Sequence, residues 1–370
     1  MSKIVRIAIS FGAVVAFVLA GFAVTASGAG VHQHAKVKGT VAFLGPETFT
    51  GRWIKDAKYF NQELHRLDSK IKILDYNANT NINTQTQQAQ TAIAKGAKVL
   101  ILAAVDQNED APIVNNAERQ GVKVLAYDRI IQTDKLRAYD SFNNVQVGKE
   151  QGGWLNKNCK KGSTVVEIRG SSTDHNAFLF YKGYQIRTAS KFKKGTWKLG
   201  YSVQTPNWNP PTAGQEMDAA LAKLHNKVNC VYSMNDGMAK PVQAALARVH
   251  LKIPLTGQDA QPDGLGRILI HTQGMTVFKN VKFEALAAAD VAYNWLAGKG
   301  LPKEYKKNCG IGCALADGKH VPAVLFKPES ITLKNVADPV KAGFDTWGGS
   351  GGVCATIGKH TSKPYCGLKH

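Results

Sequence analysis

Acidic residues are scarce in this chain: 27 Asp and Glu stand against 47 Lys and Arg, a formal net charge of +20 over 370 residues. Such an imbalance raises nucleic acid or an anionic surface as partners. Yet no basic run with interleaved aromatic residues occurs, and the lysines are scattered along the sequence. That pattern reads as a solvated surface and speaks against nucleic-acid binding. Beyond the N-terminus no apolar run approaches the roughly 18 residues of a membrane helix. No GxGxxG follows the first expected strand, where Phe43-Leu44-Gly45-Pro46-Glu47 stands, so no dinucleotide site is expected. Gly358-Lys359 is followed by His360, which breaks a P-loop pattern. Gly-Gly-Ser-Gly-Gly at 348–352 formally satisfies GxSxG. It lacks the preceding strand and following helix of a nucleophile elbow, so Ser350 is discounted.

What is present fits a globular protein of about two domains: 44% hydrophobic and 20% charged residues exclude disorder as the main state. Residues 1–30 begin with Lys3 and Arg6, continue apolar from Ile7 to Val24, and end in Thr25, Ala26, Ser27 and Gly28. This three-part pattern is that of an export leader, with cleavage expected after Ala26. Phe22 stands where a lipidated cysteine would be needed, so no lipid anchor is expected. The leader holds two basic residues and no acidic one, leaving a net charge of +18 on the mature chain. All six cysteines (Cys159, Cys230, Cys309, Cys313, Cys354, Cys366) lie beyond the leader. An even number in an oxidising compartment favours disulfides, and six cysteines allow fifteen pairings. Sequence proximity suggests Cys309–Cys313, Cys354–Cys366 and Cys159–Cys230. The spacing between Cys309 and Cys313 has no matching ligand pair nearby, which argues against zinc; no metal or cofactor is expected.

From Lys38 onward short apolar runs alternate with amphipathic ones. Strands are expected at Thr40–Leu44, Ile71–Tyr76, Val99–Ala103 and Val122–Tyr127, with helices near 51–66, 84–95 and 111–120. The run Val99–Ala103 has no polar alternation, as when helices cover both faces of a parallel sheet. The rhythm pauses near 138–144 and restarts, with strands at Thr164–Ile168, Lys198–Val203, Cys230–Met234 and Ile253–Thr256. Helices near 176–190, 211–226 and 238–249 lie among them. A long helix near 278–298 and a strand at Val321–Phe326 follow. Two successive βα series imply an α/β protein with two doubly wound parallel-sheet lobes.

Ligands of such sheets gather at the carboxyl ends of the strands. Those ends carry Asp128-Arg129, the stretch from Arg169 through Asp174 to Asn176, Asn235-Asp236, and Gly257-Gln258-Asp259. One such residue alone reads as a helix N-cap; four ends across two lobes, rich in groups that bind hydroxyls, point to a polyol-binding cleft. Trp53 and Trp208 follow strands as well, and an indole face can stack on the C–H face of a pyranose.

Several local motifs carry a resemblance: Arg52-Trp53-Ile54-Lys55-Asp56, Val124 to Arg129, Ser141-Phe142-Asn143-Asn144 with Val147-Gly148, Gly257 to Ala260, and Met275 to Lys279. Over roughly 37–344 the chain resembles the D-xylose-binding type of periplasmic sugar-binding proteins of ABC importers. The resemblance implies the type I periplasmic binding protein fold, with two lobes joined by three crossovers at a hinge. It implies an N-terminal lobe of residues 37–142 plus about 276–322 and a C-terminal lobe of 143–275 plus about 323–344. Residues 345–370 are then a Cys- and Gly-rich tail without counterpart. Trp53 and Trp208 match the aromatic pair that sandwiches the sugar; Arg52, Asp128, Arg129, Asn176, Asn235, Asp259 and Lys279 match its polar contacts. Arg52 and Lys279 enter through the resemblance alone. Asn280 stands where the family commonly has proline, and the surroundings of Trp208 at 207–211 differ in detail.

The expected function is capture of a monosaccharide, D-xylose or a similar aldopyranose, and its delivery to an ABC permease by a monomeric, non-enzymatic protein of the periplasm or cell exterior. A binding protein that serves a membrane sensor shares these features. An exported α/β hydrolase would need a nucleophile–base pair that Ser350 does not supply. A sugar-responsive repressor would begin with a helix-turn-helix in place of a leader.

Overall fold

The computed structural model describes residues 37–48, 51–359 and 364–368. The expected leader, residues 1–26, lies outside the described residues. The first elements in chain order are β1 (Thr40–Gly45), α1 (Arg52–Leu67), β2 (Lys72–Asn77), α2 (Ile82–Ala94), β3 (Ala97–Leu102), α3 (Ala111–Arg119), β4 (Lys123–Tyr127) and β5 (Ala138–Phe142). A second series runs α4 (Asn144–Asn158), β6 (Thr164–Arg169), α5 (His175–Lys193), β7 (Lys198–Gln204), α6 (Pro210–Lys223), β8 (Cys230–Ser233), α7 (Asp236–Arg248) and α8 (Pro262–Leu269). Then come β9 (Thr276–Phe278), α9 (Val281–Leu296), β10 (Ala323–Phe326) and β11 (Glu329–Ile331).

Six of these strands form one all-parallel sheet in the order β10-β5-β4-β3-β1-β2. Successive side chains of a strand point to opposite faces, and here both faces are buried. Val41 and Phe43 of β1 enter a layer with Phe60, Leu64, Ala285 and Ala288 of α1 and α9. Ala42 and Leu44 enter the opposite layer with Ala89, Ala92, Val114 and Ala117 of α2 and α3. The second sheet, β7-β6-β8, is also parallel. Its core combines Val147, Phe180 and Tyr184 of α4 and α5 with Met217, Met238 and Val242 of α6 and α7.

Helices α4 and α5 lie unusually close. A Cβ on Gly183 would fall 2.0 Å from the carbonyl oxygen of Val145. Alternating rhythm alone did not place β5 and α4, because Asp140 and Ser141 interrupt the strand's apolar character and three glycines make the helix look like a loop. Gly148 and Gly152 of α4, with Gly183 of α5, are what let the helices approach.

The chain passes between the sheets three times: from β5 to α4, from β9 to α9, and from β10 to β11. The backbone N–H of Asn143 donates to the Phe326 carbonyl at 2.8 Å, and Phe142 packs on Phe326 with ring centroids 5.9 Å apart. Two expected boundaries move. β10 hydrogen-bonds to β5, so residues 323–326 belong to the first sheet and not to the C-terminal lobe. β9 pairs antiparallel with β11, so residues 276–278 stay with the second lobe's side of the crossover. The expected strand at Ile253–Thr256 reduces to a single bridge between Leu255 and Val231. Pro254 has no N–H for a ladder and only accepts, from Val231, at 2.8 Å.

The tail beyond 344 is not a loose appendage. Val353, Cys354 and Cys366 are buried with Ala260, Leu265, Ile268 and Phe344. The pairs Cys159–Cys230, Cys309–Cys313 and Cys354–Cys366 are bonded, as proximity suggested. Phe344 and Asp345 reach the other lobe: the Lys55 ammonium on α1 lies 4.2 Å from the Phe344 ring centroid and forms an ion pair with Asp345.

Two outcomes are expected. Gly183→Ala forces α4 and α5 apart and lowers stability by about 2–3 kcal/mol in urea unfolding. Replacing Cys354 and Cys366 by serine releases a loop closed over 12 residues. It lowers stability by about 3 kcal/mol on the chain-entropy estimate, read as a fall in melting temperature that reductant reproduces.

Candidate functional site

The carboxyl ends of both sheets face one polar cavity. All nine residues singled out from the sequence line it: Arg52, Trp53, Asp128, Arg129, Asn176, Trp208, Asn235, Asp259 and Lys279. Asp174, Phe180 and Gln258 complete the wall. Each of the nine is buried. The two lobes are hydrogen-bonded across the cleft by Asn176 to Asp128, and by the Gln107 backbone N–H to the Thr173 carbonyl at 2.9 Å.

Asp128 ends β4 with a positive φ of 58°. Its carboxylate meets the Arg52 Nη1 at 2.9 Å, the Asn176 amide at 3.2 Å and the Lys279 ammonium at 3.8 Å. Burial alone would raise its pKa, but the charges of Arg52, Lys279 and Arg129 outweigh this and hold it below the ordinary carboxylate value. The neighbouring carboxyls behave oppositely. Burial and the charge of Asp128 push Glu284 far up; Asp140 is likewise raised, by burial first and by Asp128 next. One carboxyl of the cluster is thus kept anionic at the expense of the others.

Arg52 has five N–H donors. Two bonds go to Asp56 at 2.8 and 3.4 Å, one to Asp128 and one to Glu284 at 3.2 Å. That leaves a single donor for anything in the cavity, so Arg52 chiefly positions Asp128. Arg129 donates to the Ala104 carbonyl at 3.0 Å and lies 3.1 Å from Asp174. Asp174 in turn accepts from the Trp208 indole at 3.1 Å and from the Asn176 backbone at 2.9 Å. Lys279 pairs with Asp259 at 3.2 Å. It leaves β9 at a crossover, so its charge stands where the lobes meet.

The aromatic walls come from both lobes. Trp53 packs edge-on against Tyr127, with the Arg52 and Arg129 guanidinium groups 4.4 and 5.1 Å from its ring. Trp208 closes a tight turn at Pro206–Trp208 and packs edge-on to Phe180. A Cβ on Gly170 would stand 2.0 Å from the Trp208 ring, so only glycine lets the indole seat there. Asp128, Trp208 and Asp259 all have positive φ without being glycine. Such conformations cost about 1 kcal/mol or more each, and their gathering at one cavity marks a site the surrounding structure holds under strain.

The N-cap reading and the site reading turn out to be compatible. Asp174 and Asn235 cap α5 and α7 through one side-chain oxygen each, and both line the cavity. Asn280 caps α9 in the same manner, which gives a physical role to the residue standing where proline is common. Asp174 and Gln258 were visible as strand-end residues; Glu284, a buried acid on α9, and Phe180 were not singled out. Ser350 lies in an exposed turn between Gly349 and Gly351, with no strand leading into it.

A periplasmic binding protein domain model matches residues 41–300. The chain is 32% identical over 296 residues to the D-xylose-binding periplasmic protein of Escherichia coli, covering 79% of this chain and 87% of that protein. It is 31% identical over 326 residues to the multiple sugar-binding periplasmic protein SbpA of Azospirillum brasilense, covering 81% and 88%. Among solved structures, an ABC transporter solute binding protein from Clostridium phytofermentans with bound β-D-glucose superposes with a TM-score of 0.76 at 25% identity, over 83% of this chain and 98% of that one. With its two parallel sheets, three crossovers and polar cleft, the chain belongs to the periplasmic binding protein family and has the type I fold of its sugar-binding members.

Proposed function

We propose that this protein captures a monosaccharide, D-xylose or a similar aldopyranose, between its closing lobes and delivers it to the permease of an ABC importer. The observation that carries the reading is the cavity itself: two tryptophans from opposite lobes and a ring of charged and amide groups around Asp128, all buried. A pyranose offers C–H faces for the indoles and equatorial hydroxyls for the carboxylates, amides and cations. The lobes meet through Asn176 and Lys279, so a sugar seated first on one lobe gains its remaining hydrogen bonds as the other arrives. The relatives differ in the sugars they are named for, and one hydroxymethyl group is worth only a few kcal/mol, so xylose and glucose are separated by pocket volume. Export through residues 1–26 and action as a monomer complete the proposal. Service to a membrane sensor is told apart from import by uptake: loss of the gene abolishes sugar uptake only if the protein feeds a permease.

A thermal-shift panel of aldopentoses and aldohexoses checks the ligand class, since a ligand that binds only the native state raises the melting temperature. Silence with every monosaccharide, confirmed by calorimetry, sinks the proposal. Asp128→Asn and Trp208→Ala are each expected to weaken sugar binding at least about tenfold, or 1.4 kcal/mol, while Ser350→Ala leaves it unchanged. The pH dependence follows from the depressed pKa of Asp128. Its contribution is fully present above the ordinary aspartate value and is lost only as pH falls through the lower folded value. Asp128 by itself therefore leaves affinity, measured by calorimetry, unchanged from neutrality down to about pH 5; a decline within that range reports Asp174, whose carboxyl burial holds above the ordinary value. A midpoint near neutrality would show that another group governs binding.

A further inference from the structure

The lysines that look scattered in the sequence are gathered by the fold. Four connections meet at the amino ends of β6, β7 and β8, the end of the second lobe opposite the cavity. The Gly162 N–H donates to the Thr196 carbonyl at 2.8 Å, and the Lys198 N–H to the Ser163 carbonyl at 2.9 Å. The Asn229 N–H donates to the Thr164 carbonyl at 2.9 Å, and the Val231 N–H to Pro254. The disulfide Cys159–Cys230 fastens the first of these connections to β8.

The segments so joined, 157–164, 190–198, 222–230 and 249–254, contain ten lysines and no Asp, Glu or Arg. Lys157, Lys160, Lys161, Lys193, Lys194 and Lys198 are exposed, as are Lys223, Lys227 and Lys252. Among the described residues none of the ten takes part in an ion pair. Lysines in a last helical turn offset the helix dipole, which accounts for Lys157, Lys191, Lys193 and Lys223. It does not account for Lys160, Lys161, Lys194, Lys198, Lys227 or Lys252, which lie beyond the helix ends. The corresponding end of the first lobe is basic too, but it mixes in Asp68, Glu118 and Asp134, and Arg137 there is paired to Glu118.

We infer that this lysine pole is a docking surface for a bilayer rich in anionic phospholipid. Lysine is a compact, hydrated charge suited to diffuse attraction by many phosphates, whereas the arginine fork used for specific phosphate recognition is absent. The aromatic platforms that single-stranded nucleic acid requires are also missing: Trp197, the one tryptophan in these segments, is buried. Leu199, half exposed beside Lys198, offers an apolar contact of the kind an interface accepts. Docking by this end leaves the cleft facing away from the bilayer surface it rests on.

Co-sedimentation of the whole protein with vesicles tests this. Vesicles containing about a third phosphatidylglycerol retain the protein, and pure phosphatidylcholine vesicles do not. Raising salt from about 50 to about 500 mM lowers retention at least tenfold, because screening shortens the reach of surface charge. The variant K160E/K161E/K193E/K194E loses at least tenfold, and K160Q/K161Q an intermediate amount. The variant K70E/K72E/K95E/K98E, with the same charge change at the first lobe, retains most binding. Unchanged sugar affinity and melting temperature establish that the variants are folded. Retention on neutral vesicles, indifference to charge reversal at the pole, or equal loss from the first-lobe variant overturns the inference. So does binding to heparin without binding to vesicles, which would assign the pole to a soluble polyanion.

Discussion

One buried anion organises the cleft. Removing a carboxylate from water costs several kcal/mol unless charge and hydrogen bonds replace the solvent. Asp128 receives this replacement from three directions: Arg52 on the first helix, Asn176 from the second lobe, and Lys279 from a crossover. Each of these is itself fixed, Arg52 by Asp56 and Glu284, Asn176 by Asn144, Lys279 by Asp259. The cavity is thus part of an electrostatic network that spans both lobes and their connection. Contacts from the second lobe and from a crossover complete the surroundings of Asp128.

Much of this is legible in the sequence alone. Strand ends in an α/β chain are where ligands gather, and Asp128, Asn176, Asn235 and Asp259 stand at such ends whatever the family. Arg52 and Lys279 carry no such signature; they entered by resemblance, and only packing shows that Arg52 serves Asp128 more than the cavity. The third crossover was misplaced for a physical reason: β10 reads as a strand, but nothing local says whether it pairs with β5 or joins the second lobe. Glycines misled in the other direction. In α4 they imitate a loop, and their purpose appears only when α5 lies against them.

Charge shows the limit of linear reading most clearly. Lys160, Lys193, Lys223 and Lys252 are separated by about thirty residues each, so no short window along the chain contains more than one of the four lysine-bearing segments. A parallel sheet returns every connection of one kind to the same end, which turns a periodic scatter into a concentrated patch. The cavity obeys the same rule at the opposite end, where the βα turns collect acids, amides and tryptophans. One topology therefore separates two chemistries along each lobe.

The three passages between lobes also govern how the chain can become structured as it emerges. The first sheet lacks β10 until residue 326 is available, and α9, which covers one of its faces, comes only after 280. The second lobe's outer cluster waits for Val353, Cys354 and Cys366. The first half cannot finish its core, nor the second its outer cluster, while the last quarter of the chain is still missing. A chain delivered N-terminus first therefore keeps both halves incomplete until nearly all of it has arrived.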